Sequence, residues 1–122
     1  MMMPDSTSSP ADTTPFPGSG TVRIVAVFNS GYKEYVEITN SGTQPVDLAG
    51  WSVTGSRGDE QYMFPTDYSL APGAGVRLHS GDGGVDSPPT DIYWTSKTVW
   101  NNQGETVYLR DALGNLMDSY SY

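Results

Sequence analysis

The stretch EYVEITNSGTQPVDLAGWSV, residues 34–53, decides the fold of this chain. In its first part Val36 and Ile38 alternate with polar or ring-bearing neighbours, and this period of two is typical of an antiparallel strand with one buried face. The turn-forming residues SGTQP follow, and apolar residues then resume before Trp51. The stretch therefore predicts a strand, a turn and a second strand that opens with a bulky ring.

The same pattern extends in both directions from this stretch. Short runs of alternating apolar residues are separated by turn signals, and the 14 glycines and 9 prolines are many for 122 residues. No segment has an apolar stripe of helical period. We therefore predict an all-β antiparallel sandwich over residues 21–122, with about seven to nine strands and Greek-key-type connections. Residues 1–20, rich in Pro, Ser and Thr, are predicted to be a flexible arm or linker.

The strand pattern also predicts which side chains fill the core between the two sheets. The core residues expected from it are Val36, Ile38, Leu48, Trp51, Val53, Phe64, Val76, Leu78, Val107 and Leu109. A tryptophan that opens an inner strand of a sandwich is more often a core residue than a ligand-stacking one.

Two strands at the ends of the domain have special patterns. In the first strand, Val22, Ile24, Ala26 and Phe28 share one face by the period of two. In the last strand, Asp118 interrupts an apolar face. A β-bulge or a buried, hydrogen-bonded carboxylate is expected there.

The composition excludes several classes of function. The net charge is -8, with six Lys and Arg residues scattered along the chain, so binding to nucleic acid or to an anionic membrane is not expected. The chain has no cysteine, which removes disulfides and thiolate metal sites. No run of about 18 apolar residues is present, so we expect no membrane insertion. The first ten residues do not have the pattern of a signal peptide.

No catalytic motif stands out, and we expect neither an enzyme nor a cofactor. His79 has no Ser or Asp partner at the spacing of a nucleophilic motif. Glu34 and Glu37 lie on opposite faces of one strand, so they cannot act as an acid–base pair, and Glu34 is expected at a sheet edge, bonded to backbone. Asp82 and Asp86 are acceptable calcium ligands, although a polar turn is the commoner reason for this pattern.

One pair of aromatic residues raises a binding hypothesis. Tyr93 and Trp94 follow the Gly- and Pro-rich loop at 81–91, and exposed rings there would stack on sugars. The alternative is that a buried ring anchors the loop. A carbohydrate-binding module is therefore the second functional hypothesis, with these two residues as its ligand-binding site.

Four stretches in a fixed order carry a resemblance to a known family. They are EYVEITNSGTQPVDLAGWSV at 34–53, FPTDYSLAPGAGVRL at 64–78, WNNQGETVYLRDALGN at 100–115 and MDSYSY at 117–122. Together they resemble the lamin tail domain family, and specifically a prokaryotic-type member without a coiled-coil rod.

The resemblance implies an immunoglobulin-like sandwich without catalytic residues. It further implies a binding or tethering module, an appendage of a larger protein that attaches to another protein or to a surface polymer. An extracellular or cell-surface location is favoured by the same resemblance. The basic character that accompanies chromatin binding in lamins is missing here. An exposed sheet edge is also expected to allow a weak dimer, with the closing residues SYSY, 119–122, as the candidate strand.

Overall fold

The computed structural model describes residues 21–30, 33–58, 60–82 and 86–122, and within them every regular element is a strand. The predicted arm at 1–20 lies outside the described residues. The ten strands are β1 (Val22–Ser30), β2 (Lys33–Asn40), β3 (Val46–Asp47), β4 (Ser52–Gly55), β5 (Gln61–Met63), β6 (Ser69–Leu70), β7 (Gly75–Gly81), β8 (Asp91–Thr95), β9 (Thr106–Arg110) and β10 (Leu116–Ser121).

The strands form two four-stranded sheets and one short pair. One sheet has the order β1-β2-β7-β8, the other β10-β9-β4-β5, and β3 pairs with β6. Because β2 neighbours β7 and β4 neighbours β9, the chain leaves each sheet and returns to it, as in Greek-key topologies. The predicted antiparallel sandwich is confirmed, with one exception: β7 and β8 are parallel. The count reaches ten because β3 and β6 have two residues each, too few to show a period.

The core lies between the two large sheets. All ten side chains predicted for it are at most 5% exposed, and Trp51 is among them. Val46, Tyr68, Ile92 and Trp100 are buried in the same cluster. Each buried aliphatic or aromatic side chain of this kind contributes about 1.5–3 kcal/mol to stability relative to an exposed one.

A β-bulge in β1 changes which of its residues face the core. The register with β2 shifts between Ile24 and Ala26, so that Val27 pairs with Val36 and packs against the core. Phe28 is consequently turned outward and is 43% exposed. The prediction that Ala26 and Phe28 share the face of Val22 and Ile24 is therefore wrong, because one extra residue moves every later side chain to the opposite face.

A second bulge, in β10, lies beside the first. The register with β9 shifts between Leu116 and Asp118, and Asp118 Oδ2 accepts a hydrogen bond of 2.8 Å from the amide of Ile24. The bulge expected at Asp118 thus occurs, and the carboxylate is hydrogen-bonded as expected but only partly buried, with its side chain 21% exposed. This bond joins β1 of one sheet to β10 of the other, and Arg23 lies 3.9 Å from the same carboxylate.

Candidate interaction surface

Four ring-bearing side chains lie in one line across the outer face of the sheet β1-β2-β7-β8. Phe28 pairs with Tyr35, Tyr35 with His79, and His79 with Tyr93. Directly paired residues place their side chains on the same face. Val36 and Leu78, the neighbours of Tyr35 and His79 along the chain, are buried, so this line faces away from the core. We call these four residues the ring row.

The rings of this row pack against one another and against a guanidinium group. Phe28 and Tyr35 are stacked, with centroids 5.2 Å apart and planes 13° apart, and the Tyr35 and His79 centroids are 5.7 Å apart. The Arg77 guanidinium carbon lies 4.8 Å from the Tyr35 ring centroid. Phe28 and Arg77 therefore both pack on the Tyr35 ring, and the ring row forms an apolar ridge in which Tyr35 is not an open stacking platform.

A row of charged side chains runs beside the ring row. Glu37 pairs with Arg77 and Arg77 with Asp91 in the strand register. Arg77 Nε lies 3.5 Å from Glu37 Oε1. A groove of about 340 Å³ opens here, lined in part by Glu37, Arg77, Thr90 and Asp91. The outer face thus combines an apolar ridge with a polar groove.

His79 has a carboxylate partner that its sequence spacing did not reveal. Its Nε2 lies 2.7 Å from Asp91 Oδ1, because the parallel pairing of β7 and β8 brings the two strands together. This hydrogen bond lowers the pKa of Asp91, and Thr90 and Arg77 act in the same direction against desolvation. The Thr90 hydroxyl donates to Asp91 and not to the imidazole. The His79–Asp91 hydrogen bond therefore links the side chains of β7 and β8.

The two residues predicted to bind a ligand lie on different sides of β8. Tyr93 belongs to the ring row, is 37% exposed, and donates its hydroxyl to Gly81 O at 3.4 Å. Trp94 packs against the core instead, with its ring centroid 5.8 Å from that of Tyr62 and 6.0 Å from that of Trp100. The structure thus places the two side chains on opposite sides of the sheet. Trp94 has a packing role, which was the alternative to ligand binding.

The two aspartates considered as calcium ligands flank residues 83–85, which lie outside the described part of the chain. Asp86 Oδ1 accepts a hydrogen bond from the Tyr93 amide at 3.4 Å, and Asp82 is exposed. Among the described residues, no group of three or more His, Cys, Asp or Glu side chains is placed to hold a metal ion.

Two buried glutamates accept hydrogen bonds from the backbone of residues 99–101. Glu34 is 2% exposed and accepts hydrogen bonds from the Ser80 hydroxyl at 2.8 Å and from the amides of Val99 and Trp100 at 2.7 and 3.3 Å. Glu105 accepts one from the next amide, that of Asn101, at 2.9 Å. We call Glu34 and Glu105 the carboxylate clamp.

The position of Glu34 differs from the one expected from the sequence. Glu34 was expected at a sheet edge, but β2 is an interior strand between β1 and β7. The expectation that its carboxylate bonds to backbone is confirmed. A signal for its burial existed, because Glu34 has the same parity as Val36 and Ile38 and so shares their inward face.

The fold agrees with a comparison against known families. The model of the lamin tail domain matches residues 15–122. This chain belongs to the lamin tail domain family. Lamin tail domains are non-catalytic, immunoglobulin-like modules typically involved in protein interactions. Within the described residues of this lamin tail domain, no helix is long and apolar enough to cross a membrane.

Proposed function

We propose that this lamin tail domain is a tethering module that attaches to another protein through the ring row. The observation that carries the proposal is the alignment of Phe28, Tyr35, His79 and Tyr93 across all four strands of one sheet, on the face opposite the core. Aromatic residues are enriched where protein surfaces meet, and contiguous apolar patches on a surface mark binding sites.

The packing of the rings supports a protein partner over a sugar. Sugars stack on open ring faces, whereas Phe28 and Arg77 both pack on the Tyr35 ring. The row leaves Phe28 and Tyr93 exposed at its two ends, and apolar side chains of a protein can pack against them. The flanking Glu37 and Arg77 supply charged groups of both signs to a polar rim.

Carbohydrate binding is the second candidate. One observation favours it: the exposed Tyr93 lies on the same face as the groove lined by Arg77 and Asp91, where sugar hydroxyls would find hydrogen-bonding partners. Trp94, which packs against the core, would not take part.

The wider setting is also a proposal. The domain would serve as an appendage of a larger, surface-exposed protein of prokaryotic type, with a protein or a surface polymer as its target and no affinity for nucleic acid. The net charge of -8 supports the last point. The weak dimer through residues 119–122 stays a prediction. In the described structure, Tyr120 and Ser121 pair with β9.

The proposal is tested by affinity capture with the immobilised domain and two variants. The double variant Phe28→Ser/Tyr93→Ser removes both ends of the ring row. Met63→Ser is the matched control, because Met63 is an exposed residue, at 59%, on β5 of the other sheet. A protein that is retained by the wild type and the control, but lost from the double variant, supports the proposal.

Two outcomes would contradict a protein tether. Retention of the same protein by the double variant would show that the ring row is not the surface that binds. Binding on a glycan array that is lost in Tyr93→Ser, with no protein captured, would instead favour the carbohydrate candidate.

A further inference from the structure

A second surface lies at a different place from the ring row. A groove of about 450 Å³ runs between the segment 42–47 and the turn at 111–113. Its lining is mostly apolar and includes Val46, Trp51 and Leu113. Val46 and Trp51 are core residues, so this groove reaches the core, whereas Leu113 is 78% exposed at its rim.

The turn that carries Leu113 is held rigidly by one buried carboxylate. Asp111 is 8% exposed, and its Oδ1 accepts hydrogen bonds from the amides of Leu113 and Asn115 at 3.0 and 2.8 Å. The Asp111 amide donates to Asn115 O at 2.9 Å, and the Gly114 amide donates to Asp111 O at 3.0 Å. The backbone that carries the exposed Leu113 is therefore held in place, so binding there would require little ordering of the backbone.

The charges at the groove indicate what it binds. Among the described residues that line it, the charged ones are Asp47 and Asp111, both acidic. Asp47 is exposed, and its Oδ1 accepts a hydrogen bond of 2.9 Å from the Ala49 amide. The excess of eight negative charges over the whole chain acts in the same direction and favours a cationic partner.

We propose that this groove is a docking site for a peptide segment of a partner protein in which an aliphatic side chain is flanked by Lys or Arg. The aliphatic side chain packs between Leu113 and the apolar lining, and a flanking cation lies against the Asp47 carboxylate. This site is separate from the ring row and goes beyond the proposed function, because it gives the domain a second point of attachment.

The test is an NMR titration of the full chain with the capped tripeptide acetyl-Arg-Leu-Arg-amide. At about 10 mM peptide, a site with a Kd of about 1 mM is about nine-tenths occupied. We expect shifts of the amides at 42–47 and 111–113 and of the Trp51 indole. Acetyl-Glu-Leu-Glu-amide and acetyl-Arg-Ser-Arg-amide test the need for the cation and for the aliphatic group, and neither should shift these signals comparably.

Three variants locate the site. Leu113→Ser should weaken binding about tenfold, because an apolar contact is lost. Asp47→Asn keeps an oxygen for the Ala49 amide and removes the charge, so it should weaken binding about threefold, with a smaller dependence on salt. Met63→Ser, which lies outside the groove, should bind as the wild type does.

The proposal is overturned if the three peptides give equal shifts, if the shifts fall outside the groove, or if Leu113→Ser binds as tightly as Met63→Ser. Its failure is distinguishable from failure of the tether, because the ring-row variants are different residues. Phe28→Ser/Tyr93→Ser should leave the tripeptide titration unchanged.

Discussion

The two faces of strands β2 and β7 both carry apolar or aromatic side chains, but the two faces have different roles. On the inner face, Val36 and Leu78 are buried and join the two sheets. On the outer face, Tyr35 and His79 are central members of a row whose end members are exposed. The difference teaches that aromatic or apolar character alone does not assign a residue to the core. The parity of its position along the strand decides that, and in β1 a bulge changes the parity.

The carboxylates show the same contrast. Glu34 on the inner side bonds to backbone amides, whereas Glu37, three residues later, forms an exposed ion pair with Arg77. A buried hydrogen-bonded charge is costly to alter, whereas an exposed ion pair contributes little. The predictions below test this division between an inner face that determines stability and an outer face that is free to bind.

The largest effect is expected for Trp51→Ala. Removing this ring leaves a cavity in the core, so the free energy of unfolding should fall by at least about 3 kcal/mol. Chemical denaturation of the variant and of Met63→Ala, an exposed control, measures the difference. A denaturation curve equal to that of the wild type would show that the Trp51 ring does not stabilise the core.

The next effect is expected for Glu34→Gln, with Glu37→Gln as its matched control on the same strand. The glutamine oxygen can replace Oε1, which accepts from Ser80 and Val99, but its NH2 group then faces the Trp100 amide that donates to Oε2. Because a donor meets a donor and the charge is lost, we expect a loss of about 1.5–3 kcal/mol. Glu37→Gln should stay within about 0.5 kcal/mol of the wild type. Equal losses in the two variants would break the distinction between the faces.

A smaller loss of stability, confined to alkaline pH, is expected from the ionisation of two tyrosines. Burial raises the pKa of Tyr68 to about 12, and burial with the charges of Glu105 and Glu34 raises that of Tyr122 to about 12. A pKa raised above the unfolded value of 10.0 gives stability that is complete below pH 10 and is lost as the pH rises towards 12.

Unfolding experiments between pH 8 and pH 12 measure this loss. In Tyr68→Phe and Tyr122→Phe, stability should decline less steeply with pH than in the wild type, whatever the stability of each variant at pH 8. An unchanged slope in both variants would show that these hydroxyls ionise equally easily in the folded and unfolded chains.

The smallest effect on stability is expected for the ring row. Tyr93→Ser and Phe28→Ser should each change the free energy of unfolding by no more than about 1 kcal/mol, the size of a cross-strand pair. Thermal melting of the same proteins that are used for capture checks this. A loss as large as that in Trp51→Ala would mean that the row stabilises the fold rather than offering a surface.

Much of the fold follows from local sequence. The alternation at Val36 and Ile38 fixes a strand and its inward face. Pro72-Gly73 predicts a type II turn, and accordingly Gly73 has φ of 78° and the Ala74 amide donates to Ala71 O at 3.0 Å. These features depend on neighbours within a few residues, which the sequence displays directly.

The candidate sites depend on contacts between distant parts of the chain. The bulge in β1 that exposes Phe28 has no glycine or proline to mark it. Asp91 reaches His79 through a parallel pairing that no local pattern predicts. Tyr93 and Trp94 lie on opposite sides of the sheet because they are successive residues of β8. Buried polar groups such as Asn40, whose amide donates to Leu70 O at 2.9 Å, likewise need the tertiary structure to be recognised.

Several edges of the two sheets are blocked against pairing with another molecule, and this affects how copies of the domain associate. The Ile24 amide is bonded to Asp118, the loop before β8 exchanges two backbone hydrogen bonds between Ser87 and Asp91, and β5 has three residues before Phe64-Pro65. Such edges leave a neighbouring molecule little ladder to extend. Copies displayed densely on one support should therefore not add strands at these three edges, and β10 is the edge at which the predicted weak dimer would form.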